Sequence, residues 1–141
     1  MSDKIFIDTN ILVYAHDLAA GDRHYTAAAI IEDLWDTNAG VISTQVLQEF
    51  YVTVTRKIIS PLERSRAREM IRNYMVWPVH LNDAETVLSA SEIEARSNLS
   101  FWDALIVAAA RILKADKILS EDMNHGQRIE GILIENPFLA G

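Results

Sequence analysis

The sequence predicts an α/β fold, a three-layer sandwich with a mostly parallel central sheet of about five short strands flanked by helices. Two observations predict it: the apolar runs suited to strands are short and do not alternate with polar residues, and the segments between them carry helical periodicity. Lys4-Ile5-Phe6-Ile7 is the first such run, closed by Asp8-Thr9-Asn10, which suit a turn and a helix N-cap before Ile11-Leu12-Val13-Tyr14. A helix is expected from Tyr25 to about Thr37, with Ala28, Ile31, Leu34 and Trp35 at helical spacing and Asn38 and Gly40 beyond its end. Val41-Ile42-Ser43 reads as a second strand feeding a helix from Thr44, whose apolar face is Val46, Leu47, Phe50, Tyr51 and Val54.

Ser60-Pro61-Leu62-Glu63 combines a capping serine, a proline at the first helical position and a glutamate at the third, so a helix is expected from there to about Tyr74. Val76-Trp77-Pro78-Val79 suits an edge strand, because proline cannot donate within a central ladder. Asn82 with Glu85 predicts a capped helix to about Arg96, and Ser100 opens a nearly all-apolar helix through Leu113. Lys117-Ile118-Leu119-Ser120 reads as a strand, Glu121 to Gln127 as a polar loop and Ile132-Leu133-Ile134 as the last strand.

At 141 residues, half of them apolar, the chain suits one domain, 1–141, and the expected compartment is the cytoplasm, with no membrane anchor. The longest strongly apolar run, Ala104 to Ala110, falls far short of the roughly 20 residues that span a bilayer. With no cysteine present, disulfides, thiolate nucleophiles and Cys-ligated zinc are excluded, so any metal must be held by oxygen or imidazole. The net charge of -7 argues against a general nucleic-acid coat, yet Arg56, Lys57, Arg64, Arg66, Arg68 and Arg72 concentrate cations in one segment. On the segment alone a solvated helix face is the better explanation and a phosphate-steering strip the sharper one.

Asp8, Glu49, Asp103 and Asp122 each have a plain structural explanation: turn residue, solvated helix flank, capping-box partner of Ser100, and loop residue. Together they fall at strand ends or in early turns of helices expected to follow strands, where an α/β sheet gathers its chemistry. Four carboxylates repel one another unless a cation neutralises them, and Mg²⁺ or Mn²⁺ with oxygen ligands suits a chain lacking cysteine and H-x-x-x-H spacing. The chemistry implied is phosphate-ester cleavage.

Ile5-Phe6-Ile7-Asp8-Thr9-Asn10-Ile11-Leu12, Gln48-Glu49-Phe50, Phe101-Trp102-Asp103-Ala104-Leu105-Ile106 and Leu119-Ser120-Glu121-Asp122-Met123 resemble PIN domains, particularly VapC-type toxins, in order and spacing. The resemblance covers nearly the whole chain, to the closing Asn136-Pro137-Phe138, and implies a PIN-like sandwich. It implies a metal-dependent endoribonuclease, silenced by a small cognate antitoxin and expected to form a homodimer. By carry-over, Asp8, Glu49, Asp103 and Asp122 are the catalytic, metal-binding acids, Asn10 and Ser120 their polar supports, and Glu121 an extra candidate ligand. Metal-activated water attacking in line would leave a 5′-phosphate and a 3′-hydroxyl. Since an acidic groove repels RNA, flanking cations must help bind it, and Arg64, Arg68 and Arg72, at i, i+4 and i+8, are the candidates.

His16, His24, His80 and His125 lack ligand spacing, with His125 nearest Asp122, and are assigned to packing or the surface. Trp35, Trp77 and Trp102 could stack bases in principle, yet Trp35 sits on an apolar helix face and the other two flank core elements, so they are assigned to the core or a dimer interface. Two rival functions exist: a catalytically silent PIN-like binding module, which the presence of all four acids disfavours, and an aspartyl-phosphate phosphotransfer domain. The rival phosphatases need a second aspartate two residues after the first, where this chain has Asn10.

Overall fold

The computed structural model describes residues 3–139. The elements, in chain order, are β1 (Ile5–Ile7), α1 (Thr9–His16), α2 (Asp22–Thr37), β2 (Gly40–Ser43), α3 (Thr44–Arg56), α4 (Arg64–Tyr74) and β3 (Val79–His80), followed by α5 (Ala84–Ser97), α6 (Phe101–Ile112), β4 (Lys117–Leu119), β5 (Arg128–Ile129) and β6 (Ile132–Glu135). The sheet has the order β3-β2-β1-β4-β6-β5 and is parallel except for the β5–β6 hairpin.

The strand order explains the layers. From β1 the chain moves outward to β2 and β3, then returns to the other side of β1 with β4, a reversal that, with the usual right-handed crossover between parallel strands, sends the two sets of helices to opposite faces. Helix packing divides in the same way: α1 lies on α2 and α3, α3 on α4, and α5 on α6. The core between layers is built from Phe6, Ile7, Ile42, Phe50, Ile106, Ile118 and Ile134, all essentially inaccessible to water. The apolar α6 expected from Ser100 onward is buried continuously from Ala104 to Ala110. No helix among the described residues is long and apolar enough to cross a membrane.

Four local expectations are corrected. Helix α2 starts at Asp22, a turn before Tyr25. Helix α4 begins at Arg64 with Glu63 as its cap residue, because the Leu62 amide donates to the Val54 carbonyl at 2.8 Å and ties the Ser60–Pro61 segment back to α3. The cap of α5 is Asp83, whose carboxylate accepts from the Thr86 amide at 2.9 Å, so Asn82 lies outside the box. A sixth strand, β5, turns into β6 through Glu130 and Gly131, at φ 51° and 81°. Both residues of that two-residue turn occupy the left-handed region that a tight hairpin of this twist requires.

The edge strand near Pro78 does form, though as Val79–His80, with the Pro78 carbonyl accepting from Ile42. Trp77 packs just before it, and a Cβ at Gly40 would stand 2.8 Å from the Trp77 ring. Gly40→Ala is therefore expected to destabilise the fold by about 1–3 kcal/mol through overpacking. Urea denaturation should show a lower midpoint with an unchanged slope.

Candidate active site

Strands that diverge from a central strand leave a crevice at their carboxyl ends, and here it opens between β1 and β4. Asp8 is the first residue past β1 and Ser120 the first past β4. Their side chains meet: the Ser120 hydroxyl donates to Asp8 Oδ2 at 2.7 Å, while the Thr9 amide donates to Oδ1 at 2.8 Å. Asp8 thus caps α1 and is 7 % exposed. Burial pushes its carboxyl up to about 6, against the opposing effect of its two hydrogen bonds and with smaller upward contributions from the charges of Glu49 and Asp103.

Asn10 connects the two strand ends. Its Nδ2 donates to Asp122 Oδ2 at 2.9 Å, its Oδ1 accepts from the Glu121 amide at 3.4 Å, and the Asp122 amide donates to Ser120 Oγ at 3.2 Å. Glu49 projects from the second turn of α3, where its Oε1 accepts from the Thr9 hydroxyl at 2.8 Å. Asp103 sits in the first turn of α6, its amide donating to the capping Ser100 hydroxyl at 3.1 Å. Partial burial raises the Asp103 carboxyl, the Ser100 hydroxyl opposes this, and the charge of Asp122 adds to it. Because α6 follows α5 and not a strand, Asp103 reaches the crevice by helix packing, which corrects the rule that each acid comes at a strand end or just after one.

Asp8, Asn10, Glu49, Asp103 and Asp122 line one cleft of about 670 Å³, with Ser120 behind Asp8. Glu121, the extra candidate ligand, is engaged elsewhere: it accepts from the Tyr14 hydroxyl at 2.6 Å and from Arg23 Nε at 2.5 Å. Arg64, Arg68 and Arg72 are exposed on α4 and are not among the cleft-lining residues. Lys57, at the C-terminal end of α3, does line the cleft, as do Gln45 and Trp102, which sequence reasoning left out of the site. The four histidines each have a polar partner within the fold: Tyr74 for His16, the Tyr14 carbonyl for His24, Thr86 for His80 and, at the surface, the Asn136 amide for His125.

The sequence matches the family described as PIN domain over residues 5–128. The chain belongs to the PIN-domain family. No curated protein matches it significantly. Among solved structures, this PIN domain is similar to Mycobacterium tuberculosis VapC20, described as a sarcin–ricin loop cleaving toxin, at 25% identity and a TM-score of 0.65, covering 84% of this chain and 92% of that one. It also shares its fold with a toxin–antitoxin complex from Klebsiella pneumoniae, at 18% identity and a TM-score of 0.69, covering 96% and 98% of the two chains. DNA-bound VapBC from Salmonella typhimurium is a third, at 20% identity and a TM-score of 0.64, covering 96% and 99%.

Proposed function

We propose that this single PIN domain is a divalent-metal-dependent endoribonuclease acting in the cytoplasm as the toxin of a toxin–antitoxin pair. The observation that carries the reading is Asp8: a buried carboxylate held by two hydrogen bonds at the floor of a cleft that Glu49, Asp103 and Asp122 also line. Similarity to VapC20 and to toxin–antitoxin complexes supports the toxin role and a small protein antitoxin as partner. A homodimer remains part of this reading.

The donor set suits Mg²⁺ or Mn²⁺. Among the described residues no three acidic or imidazole groups converge into a ready cage. Mg²⁺ does not require one, since it keeps several waters and takes one or two carboxylates together with substrate phosphate oxygens. Asp8, Glu49, Asp103 and Asp122 would hold one or two such ions, which would lower the pKa of bound water toward neutrality and offset charge on the reacting phosphate.

The chain's own residues orient that chemistry. Ser120 and the Thr9 amide aim the Asp8 carboxylate, Asn10 aims Asp122, and the Thr9 hydroxyl aims Glu49. No histidine is among the cleft-lining residues, so the described chain supplies no imidazole pair to drive a 2′-hydroxyl attack. Cleavage by water should leave 5′-phosphate and 3′-hydroxyl ends. Arg64, Arg68 and Arg72 would meet RNA outside the cleft, where their exposed charges steer the approaching strand.

The test is incubation of the purified protein with a panel of cellular RNAs in Mg²⁺, Mn²⁺ or EDTA, followed by mapping of the ends. Metal-dependent cuts bearing 5′-phosphates support the reading; 2′,3′-cyclic ends, or cutting unaffected by EDTA, would overturn it. Ser120→Ala is expected to retain the fold and lose about 10–100-fold in activity or metal affinity, as when an outer-shell partner of a metal ligand is removed. Metal titration of the rate separates the two effects.

A further inference from the structure

Trp102 is 64 % exposed, although it lies in the first turn of the most buried helix of the protein and immediately precedes Asp103. Its backbone is fixed, with the carbonyl accepting from Gln45 Nε2 at 3.3 Å, and its ring stands edge-on to Phe101 at 5.3 Å between centroids. The other two tryptophans differ in kind. Trp35 and Trp77 pack on each other and on Tyr74.

The charge of the cleft says what a large exposed ring is for. Among the described residues five carboxylates line it against a single cation, Lys57, so apart from a bound metal ion the cleft's own side chains offer a polyanion little attraction. Stacking on a base is independent of that charge and available to every base. Helix α3 sets the spacing: Gln45, bonded to Trp102, and Lys57 lie twelve residues apart, about 18 Å along the axis, with Glu49 between them.

Resting on the nuclease reading, we propose that Trp102 is a base-stacking platform that seats the nucleotide beside the scissile phosphate, with Lys57 meeting a backbone phosphate at the far end of the cleft. On this platform one base of the substrate leaves its stack to lie on the indole.

The test is the affinity of the four RNA homohexamers by fluorescence anisotropy in an Asp8→Asn background, which leaves the RNA uncut, with wild-type cleavage of the RNA panel run in parallel. Trp102→Ala is expected to bind roughly 5- to 150-fold more weakly, and Trp102→Phe close to the parent. The loss should be the same at 50 and 200 mM salt, since no ion pair is removed. Deleting one base of the hexamer should weaken the parent by a similar factor and leave Trp102→Ala little changed. Equal affinities for Ala and parent, with the wild type still cutting RNA, would overturn the platform and leave the nuclease standing. So would a Trp102→Ala change confined to sedimentation, which would place the ring between two copies. If the parent binds no hexamer and the wild type cuts no RNA, the nuclease reading itself fails, and the platform with it.

Discussion

Asp8→Asn is expected to lower RNA cleavage at least ~10³-fold while leaving the protein folded. The charge stabilisation a metal ion gives a phosphoryl transition state is worth several kcal/mol, and each 1.4 kcal/mol is a tenfold change in rate. Asparagine keeps the shape of the side chain and can still bond Thr9 and Ser120, so the cap of α1 survives. The loss should appear as a fall in single-turnover rate at saturating RNA, with unaltered far-ultraviolet dichroism. A variant that cuts RNA within tenfold of the wild type would mean that Asp8 is only a helix cap.

The same residue makes metal-free stability depend on pH with a defined sign. The Asp8 carboxyl is raised from 3.8 to about 6 in the folded protein, so the folded state holds its proton more tightly than the unfolded chain does. Its contribution is fully present below about pH 4 and is lost as pH rises through 6, amounting to roughly 3 kcal/mol by pH 8. Asp8→Asn has no such proton to lose. Urea denaturation in EDTA should therefore show the variant gaining on the wild type by about that amount between pH 4 and 8. Mg²⁺ at pH 8 should narrow the gap, because a cation that binds the ionised folded site stabilises it by mass action. A difference that stays flat with pH would show that Asp8 ionises without a burial penalty.

Local patterns in the sequence were enough for the fold class. Ile5–Ile7 and Lys117–Leu119 are short apolar runs that only a sheet covered on both faces can bury, and they flank each other at the centre. The position of Asp8 followed from the same pattern, since a turn residue after a central strand must lie at its carboxyl end. Strand β5 escaped because two residues, Arg128–Ile129, carry no period, and the α4 start was misplaced because a capping signature is local while the Leu62 bond to Val54 is not.

At the site, the division lies between identity and engagement. The sequence by itself determined that this chain carries acids in PIN order on an α/β scaffold, because strand ends and helix starts are short-range consequences of residue type. The resemblance already set Asp122 ahead of its neighbour Glu121, and the tertiary structure supplies the physical reason the two differ. Arg23 and Tyr14 take Glu121 and Asn10 holds Asp122 toward the cleft, through partners 98 to 112 residues away along the chain. It likewise placed Trp102 in the cleft and Arg64, Arg68 and Arg72 outside its lining. Helical periodicity says which side of a helix is apolar, whereas which residue faces a cleft depends on how distant elements pack around it.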